Sequence, residues 1–339
     1  MMRRRWFDVL SRPVLGATAL IPLLALVAQP VAASASTAAL RRSVGVVTEY
    51  PIPTLGTAPY GITSSGGELW FTETRNGVGR ADTSGQITEY SKHIPPPAYP
   101  EGIAAGSDGN VWFTEKEGGA IARITPQGRV TTFPLPTGTF RPFPIGITAG
   151  PDGALWYTEY YRASIGRITT SGAITEFPVA GATNPLSITA GQDGALWFTA
   201  QGANAIGRID TLGQATLYPI PTPNAGAFGI TAGPDGALWF TESRTGKIGR
   251  ITVDGQITEY RGKGTSTLFI AAGADGALWV TENSLLSIER FTTGGRVHVF
   301  ALPSGRSPIG ITLGPDGNLW FVEQGANGHD QVARITDGR

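Results

Sequence analysis

The sequence contains no cysteine, which excludes disulfide bonds, thiolate nucleophiles and cysteine-based metal sites. Charged residues are also scarce, at 15% of the chain, and they sum to a formal net charge of zero. No basic run occurs outside the N-terminal segment, so neither a nucleic-acid partner nor an anionic membrane surface is expected.

Catalytic motifs are absent as well. The sequence has no Gly-x-Ser-x-Gly nucleophile motif, no phosphate-binding glycine-rich loop and no His-Glu-x-x-His zinc motif. Only three histidines occur: His93 and His298 fall in predicted outer-strand regions, whereas His329 lies in the irregular stretch "QGANGHDQ" near the C-terminus. His329 is therefore the one histidine expected near a binding face, and it is a candidate catalytic base.

One long apolar run is present, and it lies at the N-terminus. The basic "MMRRRWFDVLSRP", the apolar "VLGATALIPLLALVA" and the small-residue "VAASAS" have the three-part pattern of a secretory signal. We expect a signal peptide over residues 1–35, with cleavage after Ala33 or Ala35, and a linker over 36–45. General secretion is favoured over the twin-arginine route, because Asp8 follows "RRRWF". The expected location is secreted or extracytoplasmic, without a stable membrane span once the signal is removed; an uncleaved, membrane-tethered form is the alternative.

Tryptophan recurs along the rest of the chain at nearly constant spacing. Beyond Trp6, successive gaps are 42, 44, 41, 42, 40 and 41 residues, given by Trp70, Trp112, Trp156, Trp197, Trp239, Trp279 and Trp320. Repeats of about forty residues are typical of four-stranded propeller blades. The spacing predicts a single all-β domain over residues 46–339, a seven-bladed β-propeller.

Each repeat reads as four short strands. In the fifth, "FGITAG", "ALWFTE", "KIGRIT" and "QITEY" are separated by "PDG", "SRTG" and "VDG". Asp-Gly between apolar runs is a strong hairpin signal, so each blade is predicted to be a four-stranded antiparallel meander. The last repeat lacks its fourth strand, whereas "VVTEYPIP" at 46–53 has that strand's pattern. We therefore expect this N-terminal strand to pair with the last blade and close the ring.

Residues that recur in every blade are interpreted as structural. The tryptophans are expected to pack between blades. An arginine follows each tryptophan, mostly by eleven residues, and should lie directly opposite it on the neighbouring strand. The Asp-Gly pairs are interpreted as turns, because they lack the Asp-x-Asp-x-Asp spacing of a calcium loop.

The binding face is predicted from strand direction. The first strand of each blade should line the central channel, and its leading side chain, here called the mouth residue, should sit at the channel opening. The seven mouth residues are candidate ligand-binding residues: Tyr60, Glu101, Ile145, Leu186, Phe228, Leu268 and Ile309. Glu101 is singled out because no other blade has a carboxylate there, and Tyr60 and Glu101 are also candidate catalytic residues.

Glutamates end the second strands on the same face. Six blades carry one, and blade four has Ala200 instead: Glu73, Glu115, Glu159, Glu242, Glu282 and Glu323. Their favoured role is to cap loops by accepting backbone N–H bonds. Glu323 and Glu282 are also candidate ligands for a divalent cation such as Mg²⁺.

The repeats "APYGIT", "GPDGALWFTE", "NAIGRI" and "GQITEY" resemble the streptogramin B lyase family over essentially the whole chain beyond the signal. The resemblance implies a seven-bladed propeller that opens cyclic depsipeptide antibiotics by magnesium-assisted elimination. It further implies a blade-seven histidine as base, a second histidine in blade six, nearby carboxylates and a blade-one tyrosine.

Carried over by repeat position, this site is incomplete. Tyr60 matches the tyrosine and Glu323 is a match for a strand-two carboxylate, but Leu268 and Ile309 stand where the resemblance implies histidines, and Ser307 stands in place of a carboxylate. Hydrocarbon side chains cannot accept a proton. We therefore expect the protein to lack lyase activity, because the side chains at these positions cannot serve as the base.

Three functions remain in view at this point. The first is a monomeric, extracytoplasmic propeller that binds a small molecule, peptide or glycan at the channel mouth. The second is an enzyme, either a magnesium-dependent carbon–oxygen lyase whose base has moved to Glu101 or His329, or a hydrolase of another ester. The third is a protein-interaction platform that presents the proline-rich stretches Ile94 to Pro100 and Phe140 to Pro144.

Overall fold

The computed structural model describes residues 45–90, 94 and 98–336. Within them lie seven four-stranded antiparallel sheets, which confirms the predicted seven-bladed, all-β propeller. All of these residues belong to one compact unit, Arg41–Arg339. The expected signal peptide with its cleavage sites, the linker up to residue 44 and His93 lie outside the described residues.

Six blades follow one plan, with four strands in chain order. Blade one is β2 (Pro59–Ser65), β3 (Glu68–Glu73), β4 (Gly77–Ala81) and β5 (Ile87–Glu89). Blade two is β6 (Pro100–Ala105), β7 (Val111–Glu115), β8 (Ala120–Ile124) and β9 (Val130–Pro134). Blade three is β10 (Pro144–Ala149), β11 (Leu155–Glu159), β12 (Ser164–Ile168) and β13 (Ile174–Pro178).

The next three blades continue this order. Blade four is β14 (Pro185–Ala190), β15 (Leu196–Ala200), β16 (Ala205–Ile209) and β17 (Ala215–Pro219). Blade five is β18 (Ala227–Ala232), β19 (Leu238–Glu242), β20 (Lys247–Ile251) and β21 (Ile257–Arg261). Blade six is β22 (Thr267–Ala272), β23 (Ala277–Glu282), β24 (Ser287–Thr292) and β25 (Val297–Ala301).

Blade seven takes strands from both ends of the chain. It joins β26 (Ser307–Leu313), β27 (Leu319–Gln324) and β28 (Gln331–Ile335) to β1 (Val47–Pro51), which is the outer strand. Tyr50 lies opposite Val332 in the antiparallel register and stacks on Trp320, with ring centroids 5.6 Å apart. The predicted ring closure is thus confirmed, and β1 gives blade seven the fourth-strand aromatic ring that other blades supply from within.

Helical structure is limited to two short 3₁₀ turns among the described residues, Gln201–Ala203 and Ala326–Gly328. In that part of the chain, no helix has the length and apolarity needed to traverse a bilayer.

The repeated tryptophans pack against neighbouring blades, as predicted. Trp70 of blade one, for example, joins the core cluster formed by Ile103, Val111 and Phe113 of blade two. Each repeated tryptophan also stacks on an aromatic ring of its own blade's fourth strand, as Trp156 does on Phe177 at 5.4 Å. Each indole ring thus buries one apolar surface against the next blade and another against its own fourth strand. The ring is therefore the main contact between adjacent blades.

The arginines lie opposite the tryptophans, as the spacing indicated. Trp156 pairs with Arg167 in the register, and the same pairing recurs in every blade. The turn aspartate completes the arrangement: Asp152 accepts the indole N–H of Trp156 at 3.0 Å and the guanidinium Nε of Arg167 at 2.6 Å. Asp-Gly therefore contributes more than the turn that the sequence predicted, because its carboxylate fixes both side chains.

Candidate functional site

A cavity of about 140 Å³ lies on the channel axis and is lined by first-strand residues of all seven blades. Five of the predicted mouth residues line it: Tyr60, Glu101, Ile145, Leu186 and Phe228. The other two, Leu268 and Ile309, are not among the lining residues. In blades six and seven the wall is formed instead by Phe269, Gly310 and Ile311.

A β-bulge turns the mouth residues towards the channel. In blade one the register between β2 and β3 shifts between Pro59 and Ile62, and the corresponding shift occurs in all seven blades. Two residues per blade, the mouth residue and the one after it, therefore lie outside regular pairing. Such bulges bend a strand and re-aim its side chains, and five of the seven mouth residues line the cavity.

The residue after the mouth residue is glycine in five blades because the next blade approaches closely. A Cβ on Gly146 would lie 2.4 Å from the carbonyl oxygen of Leu186, and a Cβ on Gly102 would lie 2.3 Å from that of Ile145. Blade four has Ser187 at this position, and blade six has Phe269. The bulkiest departure from the repeat thus stands in the cavity wall.

Phe269 is an aromatic lining residue that was not among the predicted mouth residues. Its ring lies edge-to-face with Tyr60, at 5.4 Å between centroids, and with Phe228, at 5.2 Å. Three aromatic side chains from blades one, five and six therefore meet at one wall. The signal was available in the sequence, since Phe269 is the only aromatic residue at a position that is otherwise glycine or serine.

Glu101 faces the cavity but is not a free carboxylate. It is 6% exposed, and its Oε1 accepts a hydrogen bond from the Lys116 ammonium in the loop after β7. Burial raises the pKa of Glu101, and Lys116 opposes that rise. The Lys116 ammonium also lies 5.6 Å from the centre of the Phe143 ring. The ion pair lowers the availability of Glu101 as a base, a role the sequence had left open.

Tyr60 adds a phenol to the same cavity. Burial raises the pKa of its hydroxyl, and the neighbouring Glu101 carboxylate raises it further. The hydroxyl is therefore a neutral hydrogen-bonding group at physiological pH. No described residue forms a hydrogen bond with it, although it lines the cavity.

The strand-two glutamates are all buried, and two of them cap loops through backbone N–H groups as expected. Glu159 accepts from the Phe143 amide at 3.0 Å, and Glu282 accepts from the Ser266 amide at 2.6 Å. The others are held by side chains, as Glu73 is by Asn76 at 2.7 Å.

Burial of these glutamates raises the pKa of several, by different amounts. The pKa of Glu115 rises to about 6 and that of Glu159 to about 7. Burial raises the pKa of Glu73 to about 8, with further contributions from the Glu89 and Asp330 carboxylates. The pKa of Glu323 also rises to about 8, through burial and then Glu49. The largest rises flank the seam between blades seven and one.

The candidate metal ligands are engaged within their own blades. Glu282 also accepts from the Leu285 amide at 3.1 Å and the Ser284 hydroxyl. Glu323 accepts from Gln331 at 3.0 Å in the amide orientation that also satisfies Arg306. Within the described residues, no group of three or more His, Cys, Asp or Glu is placed to hold a metal ion.

His329 follows the short 3₁₀ turn of blade seven and is exposed. Its backbone carbonyl accepts from Arg306 Nε at 2.7 Å, but its side chain is not among those lining the cavity. The next residue, Asp330, is buried and accepts the Ala58 amide at 2.8 Å, which ties this loop to blade one. The structure therefore does not bring His329 together with Tyr60 and Glu101.

Blade six departs from the repeat at two more buried positions. Val280 replaces the aromatic residue found elsewhere on strand two, and Glu289 replaces the glycine or alanine opposite it. Glu289 Oε1 accepts the amides of Lys263 and Gly264, both at 2.9 Å, and its pKa is raised by burial. The smaller valine leaves room for a carboxylate that holds the loop leading to Phe269.

Aromatic side chains form part of the rim beside Lys116. Phe143 packs against Tyr161 at 4.7 Å between ring centroids, Tyr161 is 54% exposed and nearby Phe140 is 60% exposed. Of the stretch from Ile94 to Pro100, residues 95–97 lie outside the described residues. An interaction role for these stretches stays a prediction.

Comparison with known proteins links the chain and its fold to one protein family. The model of the Virginiamycin B lyase family matches residues 37–184 and 180–339. A virginiamycin B lyase of Nocardia farcinica is 40% identical over 82 residues, which is 24% of this chain and 28% of that protein. One of Bordetella pertussis is 40% identical over 57 residues, 17% of this chain and 19% of that protein. These alignments thus span less than a third of the curated relatives' lengths.

Solved structures match over nearly their full length. A streptogramin B lyase is 36% identical with a TM-score of 0.80, covering 86% of this chain and 98% of that one. A catalytically inactive histidine-to-alanine variant of virginiamycin B lyase from Staphylococcus aureus, with quinupristin, is 38% identical with a TM-score of 0.78, covering 86% and 99%. The WD40 propeller of Doa1, at 9% identity and a TM-score of 0.71, shares the fold alone.

Proposed function

This chain belongs to the virginiamycin B lyase family, and on that premise we propose that it binds a ligand at the channel mouth without the family's lyase chemistry. The ligand class is a small molecule, peptide or glycan. The cavity supports this proposal, since it is concave, mostly apolar and carries a few convergent polar groups.

The proposed loss of lyase activity rests on one observation. Elimination requires a group that accepts a proton, yet Leu268 and Ile309 stand at the two positions where the family resemblance implies histidines. In the Staphylococcus aureus relative, a histidine-to-alanine variant is described as catalytically inactive. At these two positions this chain has hydrocarbon side chains by nature.

The remaining titratable groups near the cavity are poor substitutes for an imidazole. Glu101 is paired with Lys116, and burial keeps the pKa of Tyr60 above its ordinary value. A base that has moved to Glu101 would have to break that ion pair. The lyase alternative therefore lacks a positive observation in its favour.

The residues present also do not fit a magnesium ion. Mg²⁺ demands near-octahedral oxygen coordination, usually from one or two carboxylates together with waters and substrate oxygens. Glu282 and Glu323 lie in different blades; Glu282 accepts backbone amides of its own blade's loops, and Glu323 Oε2 accepts from Gln331 of β28.

Mass spectrometry of quinupristin incubated with the purified protein and Mg²⁺ tests the loss of activity. We expect the lactone to stay intact, with the Staphylococcus aureus lyase as the positive control. Magnesium-dependent, ring-opened product that disappears in Glu101→Gln would overturn the proposal in favour of the lyase.

Ligand binding is tested separately by thermal shift with panels of small molecules, peptides and glycans. A ligand of the channel mouth should raise the melting temperature of the wild type and of Leu212→Ala, whose side chain is 80% exposed on a turn of blade four. The same ligand should leave Tyr60→Ala unshifted.

The proposal includes an extracytoplasmic location and a monomeric state. Fractionation of the native host, with N-terminal sequencing of the mature protein, tests the first. Light scattering of the purified domain tests the second, and a dimer mass would contradict it.

A further inference from the structure

We propose that the cavity admits one apolar ring, with the ligand's polar end at Tyr60 and Glu101, and that Phe269 sets this size limit. The inference rests on the proposed function, because it assumes that the channel mouth is a binding site. It narrows the ligand class to molecules that present a single phenol-like group.

The limit to a single ring follows from the volume of the cavity. Pockets for drug-sized ligands usually measure about 300–1,000 Å³. The cavity here is about 140 Å³, close to an engineered apolar cavity of roughly 150 Å³ that binds benzene. A macrocycle does not fit inside such a space, whereas one ring of a larger ligand does.

Phe269 accounts for the small volume. The equivalent residue is glycine in five blades and serine in one, so no other blade contributes an aromatic ring from this position. The Phe269 ring is fixed between Tyr60 and Phe228 by two edge-to-face contacts. Such pairs are stabilising beyond the apolar area they bury, so the ring forms a wall that a ligand cannot easily displace.

The position of the ligand's polar end is inferred from polar atoms at the channel mouth that have no hydrogen-bond partner. The Tyr60 hydroxyl has no hydrogen-bond partner among the described residues, and Lys116 takes only Oε1 of Glu101. A ligand hydroxyl can therefore accept from Tyr60 and donate to Glu101 Oε2. The predominantly apolar lining, together with the neutralising Lys116, favours an uncharged ring over an organic cation.

A competing interpretation is that Phe269 only fills space in the core. The two interpretations differ in what Phe269→Gly does. If Phe269 limits ligand size, the variant gains affinity for a larger ring, whereas a space-filling role changes stability alone.

The experiment measures binding of benzene, phenol and 2-naphthol by protein-observed NMR. Wild type should bind phenol at least roughly tenfold more tightly than 2-naphthol, since even one methylene in a tight pocket changes affinity by that much. Phe269→Gly, which copies blades one, two, three, five and seven, should reverse this order. Leu212→Ala should behave as wild type.

Tyr60→Phe tests the polar end, since it removes only the hydroxyl. We expect the preference for phenol over benzene to fall by roughly fivefold, the size of one net hydrogen bond. An unchanged preference would overturn the assignment of Tyr60 as a partner of the ligand hydroxyl.

The outcomes separate the two proposals. If wild type binds phenol and 2-naphthol equally and Phe269→Gly leaves that ratio unchanged, the size limit is wrong and the binding function stands. If neither protein binds any of the three probes, the single-ring proposal is overturned, and the binding function is decided separately by the thermal-shift panels. Should Phe269→Gly fail to fold, Phe269→Ser copies blade four and carries the same expectation.

Discussion

The joints between blades one to six differ from the two joints that flank blade seven. In the first five, a strand-two threonine donates to the carbonyl of the next blade's mouth residue, as Thr114 does to Ile145 at 2.9 Å. The same bond is made by Thr72, Thr158, Thr199 and Thr241. In blade six, Thr281 donates instead to Phe269 of its own blade at 3.4 Å, and blade seven has Val322 at the equivalent position.

The difference shows how a repeat protein makes room for a single site. At a regular joint the threonine bonds to the next blade, and at four of the five the residue after the mouth residue is a glycine that lets that blade approach closely. Blade four makes the same threonine bond with Ser187 at that position. At the blade-six joint a large side chain stands in place of glycine, and no threonine bond reaches blade seven from the described residues of blade six. The repeated glycine and threonine pattern is therefore broken at the blade-six joint, where Phe269 forms part of the aromatic wall of the cavity.

Removal of the closing strand should have the largest effect, because the seam beside blade seven depends on β1. Deleting residues 44–53 exposes the edge of β28, Ile52 is lost from the core, and Trp320 loses its stacking partner. We expect a loss of about 5 kcal/mol or more, a fall in melting temperature of roughly 10–20 °C. An unchanged melt would contradict closure by this strand.

The pH dependence of stability should be the next largest effect and should also be concentrated at the seam. The pKa of Glu73 is about 8 in the folded protein against an ordinary 4.5, so the folded state holds a proton that the unfolded chain releases. This contribution is complete below about pH 4.5 and is lost as the pH rises towards 8. Its full range is on the order of 5 kcal/mol.

Denaturant unfolding of wild type and Glu73→Gln at pH 5, 6.5 and 8 measures this contribution. The variant should flatten the decline across the whole window. Glu115→Gln is the matched control at a regular joint, where the pKa of about 6 confines the change to lower pH. Equal slopes for the two variants would remove the contrast between seam and regular joint.

A side chain added at a regular joint should cost about 2 kcal/mol. Gly146→Ser places a Cβ 2.4 Å from the carbonyl of Leu186 before any relaxation. Ser187→Ala at the equivalent position of blade four keeps its Cβ and should change the free energy of unfolding by less than about 0.5 kcal/mol. A neutral Gly146→Ser would show that the regular joints do not require glycine.

Replacement of Thr114 and of Thr281 by valine should give the smallest effect. The losses in free energy of unfolding of the two variants should differ by about 1 kcal/mol. Thr114→Val loses the inter-blade bond to Ile145 and the acceptor for the Gly102 amide. Thr281→Val loses the acceptor for the Phe269 amide but no bond to another blade. Chemical denaturation of both variants measures the inter-blade bond by difference, and equal losses would mean that it contributes nothing.

The fold was predictable because the repeat fixes it many times over. The tryptophan spacing, the Asp-Gly turns and the strand-like N-terminus all indicated one closed ring, and the register confirms that each repeated arginine faces its tryptophan. Five mouth residues were placed at the cavity correctly, because strand direction identifies the face to which the first strands bring them.

The parts of the site that were not predicted depend on irregular segments. Lys116 reaches Glu101 from a loop that differs between blades, and Glu289 binds backbone amides of a loop unique to blade six. Phe269 was overlooked for a different reason. The mouth residue of blade six is Leu268, and Phe269 is the residue after it. Blade six departs most from the other blades at that second position, and not at the mouth position itself.

Closure of the ring by β1 also has a consequence for how the chain reaches its native state. The Val46 amide donates to the Thr336 hydroxyl, a contact between residues 290 positions apart in sequence. Contacts of such long range slow folding, because a large loop must be ordered before any gain is realised. Because β1 precedes the other propeller strands in the chain and pairs with β28, the ring closes only after all seven blades have been synthesised.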